Sequence, residues 1–442
     1  MNNRRNPTLK PVTKLIKPLL AAITLAAASS GQAGTLADIY NLALTNDPQL
    51  KASEAALRAG QEALPQAKAG LLPSINLSAN TTYNNTDTRD YNNNGFTLAL
   101  TQPVFSAARW FNFQLGETLS DQAVLTYDIA QQDLILRSVE SYLTVLRALN
   151  ALETSQAEER AIKRRLDQVN AQFEVGLIAI TDVQEAEAQF DNARVNRIEA
   201  EGDLYNSYEA LERLSGQTFD EVDLLKAEYP VENLSPMESK PWLEKAWQGN
   251  LPLQQARLQV EAARKSAKIA NAGHYPTLDL NASYDYDDGN INANTDNETT
   301  SIGLTFSLPI YQGGATQSQS RQAYAELDQA QQLEEDNLRS VTQQTRSLLR
   351  DLRTSVLSVN ARAQSIKSSE TALKATEEGF NVGTRNVVDV LDAERALYAA
   401  QRDYANARFD YVQTLFSLKQ QLGTLNPDDL MSLDSWLAPA EN

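Results

Sequence analysis

The chain repeats itself, and this duplication restricts its fold more than any other feature. The segment VGLIAITDVQEAEAQF at 175–190 returns 207 positions later as VGTRNVVDVLDAERAL at 382–397. LPSINLSA at 72–79 similarly resembles YPTLDLNA at 275–282, at an offset of 203. Such a steady offset indicates a unit of about 200 residues present twice, so both halves should build the same elements. We predict a first repeat at 34–216, a connector at 217–250, a second repeat at 251–423 and a tail at 424–442.

Residues 1–33 differ in composition from the rest of the chain. Five lysines and arginines precede the apolar stretch LLAAITLAAA at 19–28. This order is typical of a secretory signal peptide, and ten apolar residues are too few to cross a membrane, which takes about 20. Removing the five basic residues changes the formal charge from -18 to -23. So anionic an exported chain is a poor partner for nucleic acid.

The composition argues against most kinds of catalytic site. The chain has no cysteine and a single histidine, His274, which we expect to be an ordinary polar residue at the start of a strand. Disulfide frameworks and cysteine-based metal sites are therefore excluded. No G-x-x-x-x-G-K phosphate loop occurs. We expect no cofactor, no resident metal and no enzymatic activity.

Each repeat contains a long stretch with a helical pattern. Residues 315–378 contain neither glycine nor proline, and a helix of 64 residues would be roughly 96 Å long. Its apolar residues, such as Val341, Leu352 and Val359, recur at steps of three and four, as in a coiled coil. The first repeat has the same spacing from Ile135 to Leu149. Taken alone, this pattern is equally compatible with a purely structural helical bundle.

Segments of period two lie before these helices. Ile75 and Leu77 alternate with polar residues, and so do Leu304 and Phe306 in the second repeat. The alternation predicts two strand hairpins, at about 74–103 and about 277–308, each closed by a polar loop. Each chain therefore supplies four strands with one apolar face.

Four such strands are too few to cross a membrane alone. A sheet in lipid must close on itself, because an open edge leaves backbone groups without hydrogen-bond partners. Single-chain barrels begin at about eight strands. Copies of the chain must therefore pool their strands, giving eight from a dimer or twelve from a trimer, and a twelve-stranded barrel is wide enough for a lumen. This reasoning favours a conduit in outer-membrane lipid with helices that project into the periplasm.

The sequence resembles the TolC family of outer-membrane efflux channels. The resemblance rests on the duplication, the signal peptide, GHYPTLDL, LPIYQGG and FNVGTRNVVDVLDAERALYAAQRDYANAR. It implies a mixed fold: a homotrimer whose twelve-stranded transmembrane β-barrel, four strands from each chain, is continuous with a long α-helical coiled-coil barrel. It further implies an exit channel for tripartite efflux and type I secretion, which passes drugs, detergent-like compounds and polypeptides. The implied partners are a periplasmic adaptor and an inner-membrane pump, either proton-driven or an ATP-binding transporter.

The resemblance also assigns roles to residues near the two Val-Gly turns. Asp389 and Asp392 match the aspartates that line the narrowest part of the tunnel, where threefold symmetry would make rings of carboxylates that bind cations. A simpler interpretation remains open, because acids in the first turn of a helix stabilise the helix by interacting with the positive end of its dipole. The equivalent Asp182 and Glu185 have the same position in the first repeat.

The remaining assigned residues belong to the turns and to the contacts that hold the gate shut. Arg385 matches the arginine that ties the inner hairpin to its outer neighbour, and Phe380 occupies a place where the family can have a tyrosine. Without the tyrosine hydroxyl, we expect more of the closed state to depend on Arg385. The complete set is Arg385, Thr181, Asp182 and Phe380 as gate links and Gly176 and Gly383 as periplasmic turns.

Two other classes of protein share some of these features. A soluble periplasmic coiled-coil adaptor would have the signal peptide and the long helices, but the four alternating strands argue against it. An exported carbohydrate hydrolase could use Asp389 and Asp392 as a catalytic pair. Such pairs lie beside a sugar cleft, usually rich in aromatic residues, whereas no aromatic residue lies between Phe380 and Tyr398.

Overall fold

The computed structural model describes residues 34–87, 90–289 and 297–439. The predicted signal peptide, parts of the two polar loops (88–89 and 290–296) and residues 440–442 lie outside the described residues.

Helices make up most of the described chain. In order they are α1 (Leu36–Asn46), α2 (Pro48–Gln61), α3 (Ala63–Ala69), α4 (Ala107–Glu174), α5 (Ile180–Ser215), α6 (Lys240–Gly249), α7 (Leu251–Asn271), α8 (Ala315–Asn381), α9 (Val387–Gln421) and α10 (Pro427–Asp434). A short 3-10 turn, Ala272–His274, follows α7, and there His274 is exposed just before a strand.

The two longest helices follow the pattern of apolar residues in the sequence. Helix α4 has 68 residues and α8 has 67, which makes each about 100 Å long. On α8, Val341, Leu352 and Val359 are buried, as their spacing predicts. Polar residues cover most of the other faces, since each stripe is narrow. Among the described residues, no helix combines the length and the apolar character needed to cross a membrane.

The strands form one large sheet and one small one. They are β1 (Ser74–Asn85), β2 (Asp90–Ser106), β3 (Leu224–Leu225), β4 (Thr277–Gly289), β5 (Asn297–Ser307) and β6 (Leu437–Ala438). The large sheet is antiparallel in the order β1-β2-β4-β5, so the two predicted hairpins join through β2 and β4.

The first hairpin extends further into its polar loop than the side-chain alternation predicts. Asn85 pairs with Asp90, beyond the last apolar residues of both strands. The backbone ladder supplies these hydrogen bonds, and it does not depend on which side chains are apolar. The loop of this hairpin is therefore shorter than the polar segment NNTDTRDYNNNG at 84–95.

The helices and the sheet share the same lateral order. Near the sheet, neighbouring helices follow the order α2-α4-α7-α8, and further away the order is α5-α4-α9-α8. One lateral edge of the chain therefore carries β1, α2 and α5, and the opposite edge carries β5 and α8. Within the described chain, neither outer strand has a partner on its free side.

The connector and the tail meet beside the middle of the long helices. Strand β3 of the connector pairs with β6 of the tail, and the Asp434 side chain accepts a hydrogen bond of 3.0 Å from the Ala37 amide. Tyr229 of the connector packs edge-on against Tyr411 of α9 and Trp436 of the tail. These contacts make a belt, and the largest apolar core lies beneath it.

Candidate gate at the helical turns

The duplicated Val-Gly segments build the same turn twice. Gly176 lies between α4 and α5 with φ 75°, and Gly383 lies between α8 and α9 with φ 78°. This left-handed conformation suits glycine, because a Cβ would be strained there. Each turn is closed by a backbone hydrogen bond, from the Leu177 amide to the Gln172 carbonyl at 2.9 Å in the first. The same sequence thus produces two helical hairpins that end side by side.

The first acid after the second turn caps its helix. The Asp389 amide donates to the Asn386 side chain at 2.8 Å, and the Asn386 amide donates back to the Asp389 carboxylate at 3.1 Å. This reciprocal capping box is the stabilising role that the simpler interpretation gave to the acid. A role in the tunnel remains compatible with it, because each carboxylate oxygen can accept more than one hydrogen bond.

The equivalent position after the first turn is capped less completely. The Asp182 carboxylate accepts a hydrogen bond of 3.4 Å from the Ala179 amide. Ala179 has no side-chain oxygen to return the bond, so only half of the capping box forms. Thr181 is exposed beside it. The two hairpins therefore differ, and the one that carries Asp389 begins with the stronger cap.

Within one chain, the proposed gate residues lie close to their sequence neighbours. Arg385 lies 4.0 Å from Asp389, whereas no ion pair joins Arg385 to Asp182 among the described residues. Asp392 is exposed and lies 3.9 Å from Arg395. A contact between Arg385 and an outer hairpin therefore requires another copy of the chain or a different arrangement of the turns.

Sequence reasoning missed a buried charge cluster above the turns. Arg165 of α4 donates to Glu377 of α8 at 3.0 Å and to Glu394 of α9 at 3.1 Å. The Arg165 and Glu394 side chains are only 10% and 9% exposed. The Arg165 guanidinium also lies 5.8 Å from the ring centre of Phe380, within range of a cation–π interaction. One arginine thus ties the α4–α5 hairpin to both helices of the α8–α9 hairpin.

Burial raises the pKa of the Glu394 carboxyl, although the hydrogen bond and the charge of Arg165 oppose this shift. One of its carboxylate oxygens is buried with no hydrogen-bond partner among the described residues. Arg165 therefore only partly compensates for the removal of the glutamate from water.

No local signal in the sequence could have identified this cluster. Arg165 and Glu394 are 229 positions apart. The duplication does not help either, because Ala372 stands opposite Arg165 in the repeat, and Glu187, the equivalent of Glu394, is exposed. Only the packing of the two hairpins brings the charges together.

An apolar cluster packs the two hairpins against each other beside these charges. It consists of Ile162, Leu166, Val169, Ala186, Ala193, Val387 and Leu391. Phe380 is half-buried against it. The contact between the two hairpins is thus partly apolar and partly ionic.

A polar groove of about 680 Å³ lies next to the cluster, between α4, α5 and α9. Asp392 and Arg395 line it together with Glu158, whose pKa burial raises while Arg395 and Arg402 oppose the shift. No group of three or more potential metal ligands occurs among the described residues. A cation site at Asp389 or Asp392 would therefore need carboxylates from several copies.

Comparison with known proteins identifies the class of this architecture. The profile of the outer membrane efflux protein family matches residues 39–217 and 242–424, which are nearly the two repeats. Outer membrane protein TolC of Escherichia coli is 38% identical over 96% of this chain and 90% of its own length. The proteases secretion protein PrtF of Dickeya chrysanthemi is 31% identical over 96% of this chain and 95% of its own length.

Solved structures have the same fold. The outer membrane protein VceC of Vibrio cholerae aligns with a TM-score of 0.76 at 20% identity, covering 88% of this chain and 96% of that one. The open state of the outer membrane channel MtrE of Neisseria gonorrhoeae gives a TM-score of 0.74 at 19% identity, covering 89% and 91%.

The chain belongs to the outer membrane efflux protein family. The predicted family and the predicted fold class, a duplicated chain with long tunnel-forming helices and a β domain, are therefore confirmed. The predicted function and location are confirmed as well: the protein is an outer-membrane exit channel of the kind that serves efflux and type I secretion.

Proposed function

We propose that three copies of the chain form a passive duct with a gate at the helical turns. The unpaired outer strands of the sheet carry this proposal. Strand β1 lies on one lateral edge and β5 on the other, so β5 of one copy can pair with β1 of the next around a ring. Three copies then close a barrel of twelve strands, which leaves room for a lumen. Exposed apolar side chains such as Leu77 and Ile302, 70% and 77% exposed, would face lipid.

The gate lies where the hairpins end. In a ring of three, Asp389 and Asp392 each occur three times around the axis, and their carboxylates would attract cations in the confined space. Arg385 would reach Thr181 and Asp182 of a neighbouring hairpin, since among the described residues of one chain it makes no ion pair with Asp182. Phe380 has no hydroxyl to add a hydrogen bond to these links.

Within each copy, Arg165 holds the closed arrangement. An outward movement of the α8–α9 hairpin would separate Glu377 and Glu394 from Arg165 on α4. Separating the hairpins would break both ion pairs and would also expose the apolar cluster beside them to water. The cluster therefore favours the closed state until contacts with a partner favour the open state by a larger amount.

The energy for transport must come from other proteins, because the sequence contains no nucleotide-binding loop. The partners are a periplasmic adaptor and an inner-membrane pump, either proton-driven or an ATP-binding transporter. The duct itself catalyses no reaction. It conducts drugs and detergent-like compounds, and it also conducts polypeptides, in keeping with the relative that is a proteases secretion protein.

Reconstitution of the purified protein in planar lipid bilayers tests this function. We expect a trimer in detergent, by sedimentation or light scattering, and discrete cation-selective conductance steps in the bilayer. A monomer that produces no conductance steps would contradict the proposal.

A further inference from the structure

Helix α5 presents an exposed coiled-coil stripe on one lateral edge of the chain. The stripe runs at alternating steps of three and four through Val195, Ile198, Gly202, Tyr205, Glu209 and Glu212. Val195 and Ile198 are both 51% exposed, and Tyr205 is 66% exposed. Such spacing is typical of a helix that packs along a second helix. Within the described chain, α5 packs with its opposite face, through Ala193, Ser207 and Leu211.

Helix α8 presents a second stripe on the other lateral edge. It runs at the same alternating steps through Arg339, Gln343, Arg346, Arg350, Arg353 and Leu357. Leu357 is 68% exposed. This stripe lies on the side of α8 opposite the buried residues Val341, Thr345 and Leu352.

The arginines of the α8 stripe are largely uncompensated. Only Arg339 makes an ion pair, with Glu335 on the same helix, whereas Arg346, Arg350 and Arg353 make none among the described residues. Like charges three and four positions apart repel each other on a helix. Glu209 and Glu212 on α5 are also without ion pairs in the described part of the chain. The α8 edge thus carries unpaired positive charge, and the α5 edge carries unpaired negative charge.

Ion pairs between neighbouring helices of one chain place the two stripes at nearly the same height along the helices. Arg362 of α8 bonds Asp403 of α9, Arg147 of α4 bonds Asp410 of α9, and Arg197 of α5 bonds Glu159 of α4. When these antiparallel pairings are followed from helix to helix, Leu357 comes to the height of Ser207, two residues or about 3 Å from Tyr205. By the same pairings, Arg353 comes within two residues of the height of Glu209, and Arg350 comes within two residues of the height of Glu212.

We infer that the α5 stripe of one copy binds the α8 stripe of the next, with Tyr205 against Leu357 and the pair Glu209 and Glu212 against Arg350 and Arg353. Cyclic symmetry keeps all copies at the same height, so the levels that match within one chain also match between copies. This inference rests on the proposed ring of three. It adds the register of the helical wall, which the strand edges alone do not determine.

A disulfide test uses the absence of cysteine from the chain. Tyr205→Cys combined with Leu357→Cys, oxidised in detergent, should yield a covalent trimer on a non-reducing gel, because each copy bonds two neighbours. The pair Tyr205→Cys with Lys163→Cys is the control, since Lys163 lies on α4, which has a neighbour on either side within the chain. A conducting trimer that gives no cross-link would overturn the inference and leave the proposed function intact. A monomer without conductance would overturn both.

Exchange of the charges tests the ionic part independently. Arg350→Glu with Arg353→Glu should lower the temperature at which the trimer dissociates, and so should Glu209→Arg with Glu212→Arg. All four changes in one chain should restore most of the lost stability, because the charges have exchanged places and still attract each other. The control Lys163→Glu, a reversal away from both edges, should have a smaller effect, limited to the loss of its ion pair with Asp167 on the same helix. A quadruple variant that is weaker than both double variants would overturn the ionic contact.

Discussion

Arg165 of α4 and Glu394 of α9 are 229 positions apart in the chain, yet their side chains meet at 3.1 Å. Both side chains are nearly buried, and their contact joins the two helical hairpins. The desolvation of two charges can exceed their mutual attraction, so such a pair is weak support for overall stability. The loss of one member is nevertheless strongly unfavourable. The contact is therefore better suited to select between two arrangements of the hairpins than to stabilise the fold.

We expect Arg165→Ala to favour the open gate. The change leaves Glu377 and Glu394 close together without their cation, which should destabilise the closed arrangement by about 3 kcal/mol. Single-channel recording should show a larger mean conductance or more frequent open events. Lys240→Ala, which removes an exposed cation of the connector that makes no ion pair among the described residues, is the control and should leave the recording unchanged. Identical recordings from the two variants would exclude Arg165 from the gate.

Glu394→Gln should change the pH dependence of the closed state. Burial raises the pKa of Glu394, so the protonated carboxyl favours the closed arrangement. This contribution is complete below about pH 4.5 and is lost as the pH rises through the higher pKa in the folded protein. The groups that face it are Arg165, Arg164, Glu377 and Tyr398. We expect the wild-type gate to loosen from acid to neutral pH and the variant, which keeps an acceptor for Arg165, to respond less. Equal pH profiles of conductance would contradict this role.

Arg385→Ser should increase conductance if Arg385 links neighbouring hairpins. The arginine side chain is exposed, and its one ion pair among the described residues is a long contact of 4.0 Å with Asp389, so its removal should leave the fold intact. Thermal unfolding should therefore be almost unchanged while the bilayer current rises. Lys240→Ser, an exposed cation of the connector that makes no ion pair among the described residues, serves as the control. A normal current in Arg385→Ser would remove this residue from the gate.

Asp389→Ala combined with Asp392→Ala should weaken the block of the channel by divalent cations. Asp389 also caps α9, so the double variant should lose about 1 kcal/mol of stability. The conservative variant Asp389→Asn with Asp392→Asn keeps hydrogen-bonding side chains at both positions and separates the two effects. Titration of the current with a divalent cation measures the block. An unaltered block in both variants would leave Asp389 with the capping role alone.

Asp223→Asn should stabilise the belt at neutral pH. Asp223 is 7% exposed. Burial is the main cause that raises its pKa, and the nearby negative charges of Asp434 and Asp38 raise it further. Its ionised form is therefore unfavourable in the folded protein, and replacing it should gain about 1 kcal/mol. Thermal unfolding at pH 7.5 should show a higher midpoint, and the difference should shrink as the pH falls and the wild-type carboxyl takes up a proton. Asp220→Asn, an exposed neighbour, should show neither effect.

The sequence alone determined the elements and their repetition. Glycine and proline are absent from residues 315–378, which became most of α8. Period-two segments became strands, and the two Val-Gly segments became left-handed turns at Gly176 and Gly383. These features depend on backbone conformation and on the spacing of apolar residues, which act over a few neighbouring positions. They were therefore readable without coordinates, and the resemblance to a family added the assembly and its partners.

Only the tertiary structure decided which distant charges meet and which are left without partners. It joined Arg165 to Glu394 and, in the described part of one chain, left Arg385 without an ion pair to Asp182. It also left the arginines of α8 on one lateral edge and the glutamates of α5 on the other. The physical reason is that an ion pair depends on distance in space, and helices about 100 Å long bring together residues whose separation along the chain carries no information about that distance.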